Sequence, residues 1–465
     1  MSGVLVLELN ELNWEVVSNL VTRGELPNFS RLADTHVLLE THADEAYEHL
    51  EPWIQWVTVH TGLERSDHGA EHLTDGQHSS VPQIWDALED AGIPCGVVSA
   101  MNGRRAQSST GFYIPDPWSE ATDTHPEQLG PIYCFLRDRV HSHNSTLERG
   151  ASKIGFLARC VAAGLSAQTI SRLGRGYLQA RLNGRAKWKL AAEFDRFLFD
   201  LTLALRRRFK TEYTSVFLNS VAHYQHHYWT RHDRRNWAPK YPALFAQVNP
   251  LEELNLEPED DPVTYGLKGF DQIIGSALSE TSVDRLVVLT GLTQQPFEGY
   301  EGARGFYLYR PYDHAVLLHD LSIRFARIVP LMSRDLMMYF DSDLERKVAL
   351  ERLQAVTVND EPLFKCAEQS DHRLSLTVSY TFPSDGNTQI DVPYQSASLP
   401  FLQYLQFITF KTGHHSAQGS MYVPRDFWEK YGRTRDLRIP LRDAYRILLA
   451  LARTTQVEQR VLERV

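Results

Sequence analysis

Residues 215–229 read SVFLNSVAHYQHHYW. The stretch opens on Val216, Phe217 and Leu218, an apolar run that fits a buried strand. It breaks at Asn219 and Ser220 into a segment with three histidines, His223, His226 and His227, closed by Tyr228 and Trp229. In open α/β sheets, chemistry gathers beyond the carboxyl ends of strands. The stretch is therefore expected to be a strand end that carries function. The plain alternative is a polar helix start whose histidines face water or cap carbonyls.

Strands and helices alternate outward from this stretch. Residues 3–9 form a short apolar run interrupted only by Glu8, ending at Asn10 and Glu11 before an amphipathic helix over 12–21. Pro27 opens a second helix, as proline does in a first turn, and 36–41 reads as a strand. Glu51 and Pro52 start a helix with Trp53, Trp56, Val57 and His60 at helical spacing, ending at Thr61 and Gly62. A helix over 81–91, strands over 94–99 and 283–290, and a helix over 265–278 follow. Strands over 407–411 and 420–423 flank a turn at 413–419, and 441–462 is an amphipathic helix. This alternation predicts an α/β fold with a doubly wound, mostly parallel sheet flanked by helices. The core is expected in 1–103, 211–300 and 401–465. Residues 104–210 would be an irregular excursion followed by a basic helical insertion, and 301–400 an α+β insertion.

Composition narrows the function classes. The 465 residues are 43% hydrophobic with a net charge of −10, which fits a globular protein and argues against a nucleic-acid binder. Four cysteines, Cys95, Cys134, Cys160 and Cys366, lack CxxC spacing and read as reduced thiols. The opening MSGVLVLEL reads as a strand rather than a leader, and no apolar run is long enough to span a bilayer. A cytoplasmic protein is expected, with no transmembrane segment. Residues 151–210 hold thirteen Lys and Arg against three Asp and Glu. The cations Arg206, Arg207 and Arg208 are placed to complement a helix C-terminus, and the segment is read either as a solvated face or as a docking surface for an anionic ligand or partner.

Four pieces, in order, carry a family resemblance. They are the N-terminal strand and loop leading to Leu26-Pro27-Asn28-Phe29; residues 61–69, TGLERSDHG; Gln225 and His226 with Trp229; and residues 413–419, GHHSAQG. Together they resemble the alkaline phosphatase superfamily, in particular its type I phosphodiesterase/nucleotide pyrophosphatase branch. The resemblance implies two divalent metals on Asp and His ligands, and a Ser or Thr nucleophile. Here the first-strand metal Asp falls on Asn10 and the nucleophile near Pro52. The Asp before the Gln-His pair falls on Ala222, and the late Asp-His pair on Thr290–Thr293, while His226 and His415 remain. Zinc needs three or four N, S or O ligands, so a two-metal site is not expected.

Three readings stay open. The first is a hydrolase or transferase with rebuilt chemistry, acting on a phosphorylated or carbohydrate-containing substrate. Glu8, Glu11, Glu51, His226 and His415 would be its catalytic groups, since a carboxylate near a histidine can move protons without a metal. Asn10, Asn13, Trp53, Asn219, His223, His414 and Gln418 would bind the substrate, a small molecule or glycan, anionic in character. The second is a single zinc on His226 and His415 with His223 or His227; otherwise no cofactor is expected. The third is a non-catalytic descendant that binds a phospho- or glycan ligand or a partner protein. Oligomeric state is not legible in the sequence.

Overall fold

The structure, a computed structural model, describes residues 3–118, 121–141, 153–297, 306–331, 334–369, 372–432 and 436–462. The end of the expected excursion, 142–150, and the first residues of each expected insertion, 151–152 and 301–305, lie outside them.

Eight strands form the central sheet. In chain order they are β1 (Val4–Leu9), β2 (His36–His42), β3 (Cys95–Val98), β4 (Phe112–Ile114), β5 (Tyr213–Leu218) and β6 (Arg285–Thr290). Outside this sheet, β7 (Thr293–Pro296) and β8 (Gly413–Ser416) pair with each other. β9 (Gln418–Pro424) and β10 (Arg438–Pro440) complete the main sheet, whose spatial order is β10-β2-β9-β6-β1-β5-β3-β4. β1 pairs in parallel with both β5 and β6, and β9 alone runs against its neighbours. The sheet is thus mixed and mostly parallel.

All six residues of β1 are buried, because helices cover both faces. Leu5, Leu7 and Leu9 enter one core and Val4 and Val6 the other, as the two-residue period of a strand requires. The first core packs under α1 (Trp14–Thr22) and α2 (Pro27–Thr35). The second packs under α3 (Pro52–Thr61). Each fully buried leucine or valine contributes about 1.5–3 kcal/mol.

Between β4 and β5 the chain runs through α4 (Lys153–Ala162), α5 (Ala167–Leu182) and α6 (Leu190–Phe209). After β5 come α7 (Ser220–Tyr228) and, further on, α8 (Pro262–Leu278), both against the first core. Residues Arg327–Pro330, Asp335–Tyr339, Phe364–Gln369 and Arg373–Val378 make a separate four-stranded antiparallel sheet with its own apolar core, including Leu336, Met338 and Leu374.

Three expectations need correction. The excursion after residue 104 is not wholly irregular, since β4 extends the main sheet beside β3 and Gly130–His141 is helical. The expected turn at 413–419 begins as a strand, because β8 finds a partner in β7. Arg206 is not a solvated helix-end cation. It is 2% exposed and donates to the carbonyls of Val4 and Ser282 and to Thr214 Oγ1, tying α6 to the start of β1. Arg207 pairs with Glu280, and Arg208 donates to the carbonyl of Ala162.

Candidate functional site

The site forms where β1 and β5 end. The Asn10 amide N–H donates to the carbonyl of Leu218 (2.9 Å), so the loops after the two strands leave side by side. Glu11 follows with φ of 57°, the left-handed region that side chains with a Cβ avoid at a cost of about 1–2 kcal/mol. That backbone turns the Glu11 carboxylate into the protein, where it is 1% exposed.

Donors surround the carboxylate. Asn10 Nδ2 donates to Glu11 Oε1 (2.9 Å) and to Asn219 Oδ1 (2.8 Å), and Asn10 Oδ1 accepts from Trp56 Nε1 (2.8 Å). Gln294 Nε2 donates to Glu11 Oε2, and Gln225 Nε2 to the Glu11 carbonyl. Two imidazoles complete the cluster. His226 Nε2, from α7, lies 3.1 Å from Glu11 Oε2, and His415 Nε2, from β8, lies 3.5 Å from the same oxygen. His415 Nδ1 faces Glu51 Oε2 at 3.5 Å. Glu51 stands just before α3, with Pro52 opening the helix.

α7 and β8 can approach because residue 413 is glycine. A Cβ there would fall 2.1 Å from Gln294 Oε1 and 2.8 Å from the Gln225 carbonyl oxygen. Thr412 adds two ties: its N–H donates to the His226 carbonyl, and its hydroxyl to that of Gln225.

The electrostatics follow from this packing. Burial alone would raise the Glu11 carboxyl, but His226 and His415 beside it hold it well below the usual range. Burial pushes the His415 imidazole down, and Glu11 and Glu51 outweigh it, so its pKa is raised. Burial raises Glu51, against the pull of His415 and Lys411.

The expected residues divide into three groups. Glu11, Glu51, His226 and His415 converge, with Asn10 and Asn219 bracing Glu11 from behind. Others lie near the site but turn elsewhere. His223 meets His227 edge-on at 4.5 Å, and His227 Nδ1 is 2.6 Å from Thr409 Oγ1, so the third member of the cluster is Glu11 and not His223. His414 sits 2.9 Å from Gln295 Nε2, its imidazole pushed down to about 4 by burial and by Lys411. Asn13 caps α1 through Val16 N–H. The last group is elsewhere. Glu8 points into the second core and meets His60 at 3.2 Å, Trp53 donates its indole N–H to the Glu71 carbonyl, and Gln418 is exposed at the start of β9. Gln294 was not anticipated; a fully buried glutamine four residues past a strand end is the signal for it.

The donor set suits one metal ion. Among the described residues, Glu11, His226 and His415 form the one group of three metal-ligating side chains whose ligand atoms all lie within 4.8 Å of one another. Two imidazoles and a carboxylate are a common zinc donor set, and tetrahedral bonds of about 2 Å place donors about 3.3 Å apart. The observed 3.1 and 3.5 Å bracket that value. His415 Nε2 is buried and faces the Glu11 carboxylate at 3.5 Å. Among the described residues no second such set of three appears. Asn10 is consumed by hydrogen bonds, Ala222 offers only a carbonyl, and Thr290 uses its hydroxyl on Leu12 N–H and the Leu292 carbonyl.

No family model and no curated protein matches the chain. Among solved structures it is similar to phosphonoacetate hydrolase from Sinorhizobium meliloti in complex with phosphonoformate, at 13% identity over 97% of this chain and 96% of that one, with a TM-score of 0.43. It is similar to murine ectonucleotide pyrophosphatase/phosphodiesterase 5 in complex with AMP, at 9% identity over 97% and 95%, with a TM-score of 0.38. It is also similar to the alkaline phosphatase of the Antarctic bacterium TAB5, at 10% identity over 97% and 98%, with a TM-score of 0.38.

Proposed function

We propose that the chain is a hydrolase or transferase of the alkaline phosphatase type, rebuilt around one divalent cation on Glu11, His226 and His415. Its substrate is a phosphorylated or carbohydrate-containing anionic small molecule. The observation that carries this reading is the convergence of three donors from three distant stretches of chain. A divalent ion such as zinc supplies Lewis acidity to a substrate oxygen.

The chain's own groups do the rest. Asn10 and Gln294 fix the direction of the Glu11 carboxylate. Glu51 stands behind His415 Nδ1, where a carboxylate sets the tautomer that leaves Nε2 free to ligate. The charge of Lys411, whose Nζ lies 4.9 Å from the centroid of the Phe297 ring, reaches Glu51, His414 and His415. Pro52 offers no hydroxyl, so the acceptor is water or a second substrate.

The test is turnover of p-nitrophenyl phosphate, bis-p-nitrophenyl phosphate and p-nitrophenyl glycosides after dialysis against zinc, with and without chelation. Turnover that is lost on chelation and restored by zinc supports the proposal. Undiminished turnover after exhaustive chelation overturns it. Pro52 also favours a second reading, a descendant that binds without reacting, which zinc-dependent binding of these compounds without turnover would support.

A further inference from the structure

A second feature lies away from the cleft, on the helices between β4 and β5. Residues 149–192 contain no Asp or Glu, in a chain that has 58. Within this stretch α5 is sixteen residues long yet fully buries only Thr169 and Ala180. A helix that merely completes a core hides a wider apolar stripe.

The inner side of α5 rests on α6. Thr169 Oγ1 and Arg172 reach Asp200 at 2.8 and 2.7 Å, and Gly176 lies against Glu193. The outer side carries Arg175, Leu178, Arg181 and Leu182, at the three-, four- and seven-residue spacings that share a helix face. Leu178 is 55% exposed and Leu182 79%. The preceding helix, α4, exposes Leu157 and Val161 one turn apart, while exposed Arg159, two residues from each, lies on the other side of that helix. Three other cations of the segment are paired, Arg172 with Asp200, Arg185 with Glu257 and Arg207 with Glu280. Among the described residues, Arg159, Arg175 and Arg181 meet no carboxylate.

We propose that this face of α4 and α5 docks the protein on an anionic lipid surface. On α5, Arg175 and Arg181 share one exposed face with Leu178 and Leu182, with no acid among them. At a membrane interface the guanidinium groups meet headgroup phosphates while the aliphatic groups enter the acyl boundary. An acidic protein surface would match the arginines and leave Leu182 and Val161 without apolar cover. Charge also sets the orientation. The chain carries −10 overall, so an anionic surface repels its other faces and attracts this one.

The test is co-sedimentation of the full chain with phosphatidylcholine vesicles, with and without about 30 mol% phosphatidylglycerol. Binding is expected only with the anionic lipid, and it should weaken as salt rises. Arg175→Glu with Arg181→Glu should lower binding about tenfold or more, and Leu178→Ser with Leu182→Ser should lower it as well. All four side chains are exposed, and unchanged thermal unfolding confirms that each variant is folded. Failure of the folded wild type to bind anionic vesicles at low salt overturns the proposal. So does equal binding by the charge-reversed variant, or binding that ignores the two serine substitutions. Self-association without vesicle binding, abolished by the same substitutions, would assign the face to a second copy of the chain and likewise overturn it.

Discussion

Glu11 and His226 meet at 3.1 Å, and the carboxylate reaches that point from a left-handed backbone. Asn10 donates to one carboxylate oxygen and Gln294 to the other. In Glu11→Gln one of these oxygens becomes an NH2 group that faces a donor. The metal-free variant should lose about 1–3 kcal/mol of stability, as expected for a buried donor left unpaired. It should also lose the zinc-dependent rise in unfolding temperature expected of the wild type. Thermal unfolding with chelator and with zinc reads both effects.

Asp195 positions the helix that carries His226. It accepts the N–H groups of Asn219 (3.1 Å) and Ser220 (2.6 Å) from within the core, and burial pushes its carboxyl up to about 6. The ordinary value is 3.8, so the folded state holds this proton more tightly than the unfolded state. The stability this group contributes is fully present below 3.8 and is lost as pH rises through about 6. The loss amounts to roughly 3 kcal/mol. Urea unfolding from pH 4 to 8 should show that decline in the wild type and a flatter profile in Asp195→Asn.

The Glu8–His60 pair serves the second core. Both residues are 1% exposed, and Glu8 Oε2 and His60 Nδ1 have no hydrogen-bond partner. Removing one member of such a pair costs about 3–5 kcal/mol, while replacing both with apolar groups is close to neutral. Glu8→Leu and His60→Phe should each destabilise strongly, and the double variant should recover most of the loss in a denaturant series. Zinc binding should be unchanged in the double variant.

Arg206 and Arg175 should respond differently to reversal. Arg206→Glu breaks the ties to Val4, Thr214 and Ser282 and places a carboxylate against carbonyls. It should cost several kcal/mol, on the order of 3–5. Arg175 is exposed, and Arg175→Glu should change stability by about 0.5 kcal/mol or less. Chemical denaturation of the two variants side by side checks the contrast.

Much of the fold was legible because apolar runs and helix starts follow local rules. Pro27 and Pro52 do open helices, and the run ending at Leu218 is a strand. The face on which Glu8 lies was not legible. Every residue of β1 is buried on one side or the other, so the hydrophobic pattern carries no sign of which side holds the site. Glu11 and Glu8 therefore looked equivalent until the left-handed turn at Glu11 separated them. The turn expected at 413–419 hid the alternation of a strand, which sends His415 toward Glu11 and leaves His414 beside Gln295. Arg206 ends a helix, as its sequence position suggested, but tertiary packing places it in the core.

The measurement that bears most directly on the central claim is the metal content of protein purified without chelator or metal-binding tag, then dialysed against limiting zinc. One zinc per chain is expected in the wild type and none in a folded His226→Gln, His415→Gln double variant. Two ions per chain, no ion in the folded wild type, or one ion retained by the double variant would contradict that claim.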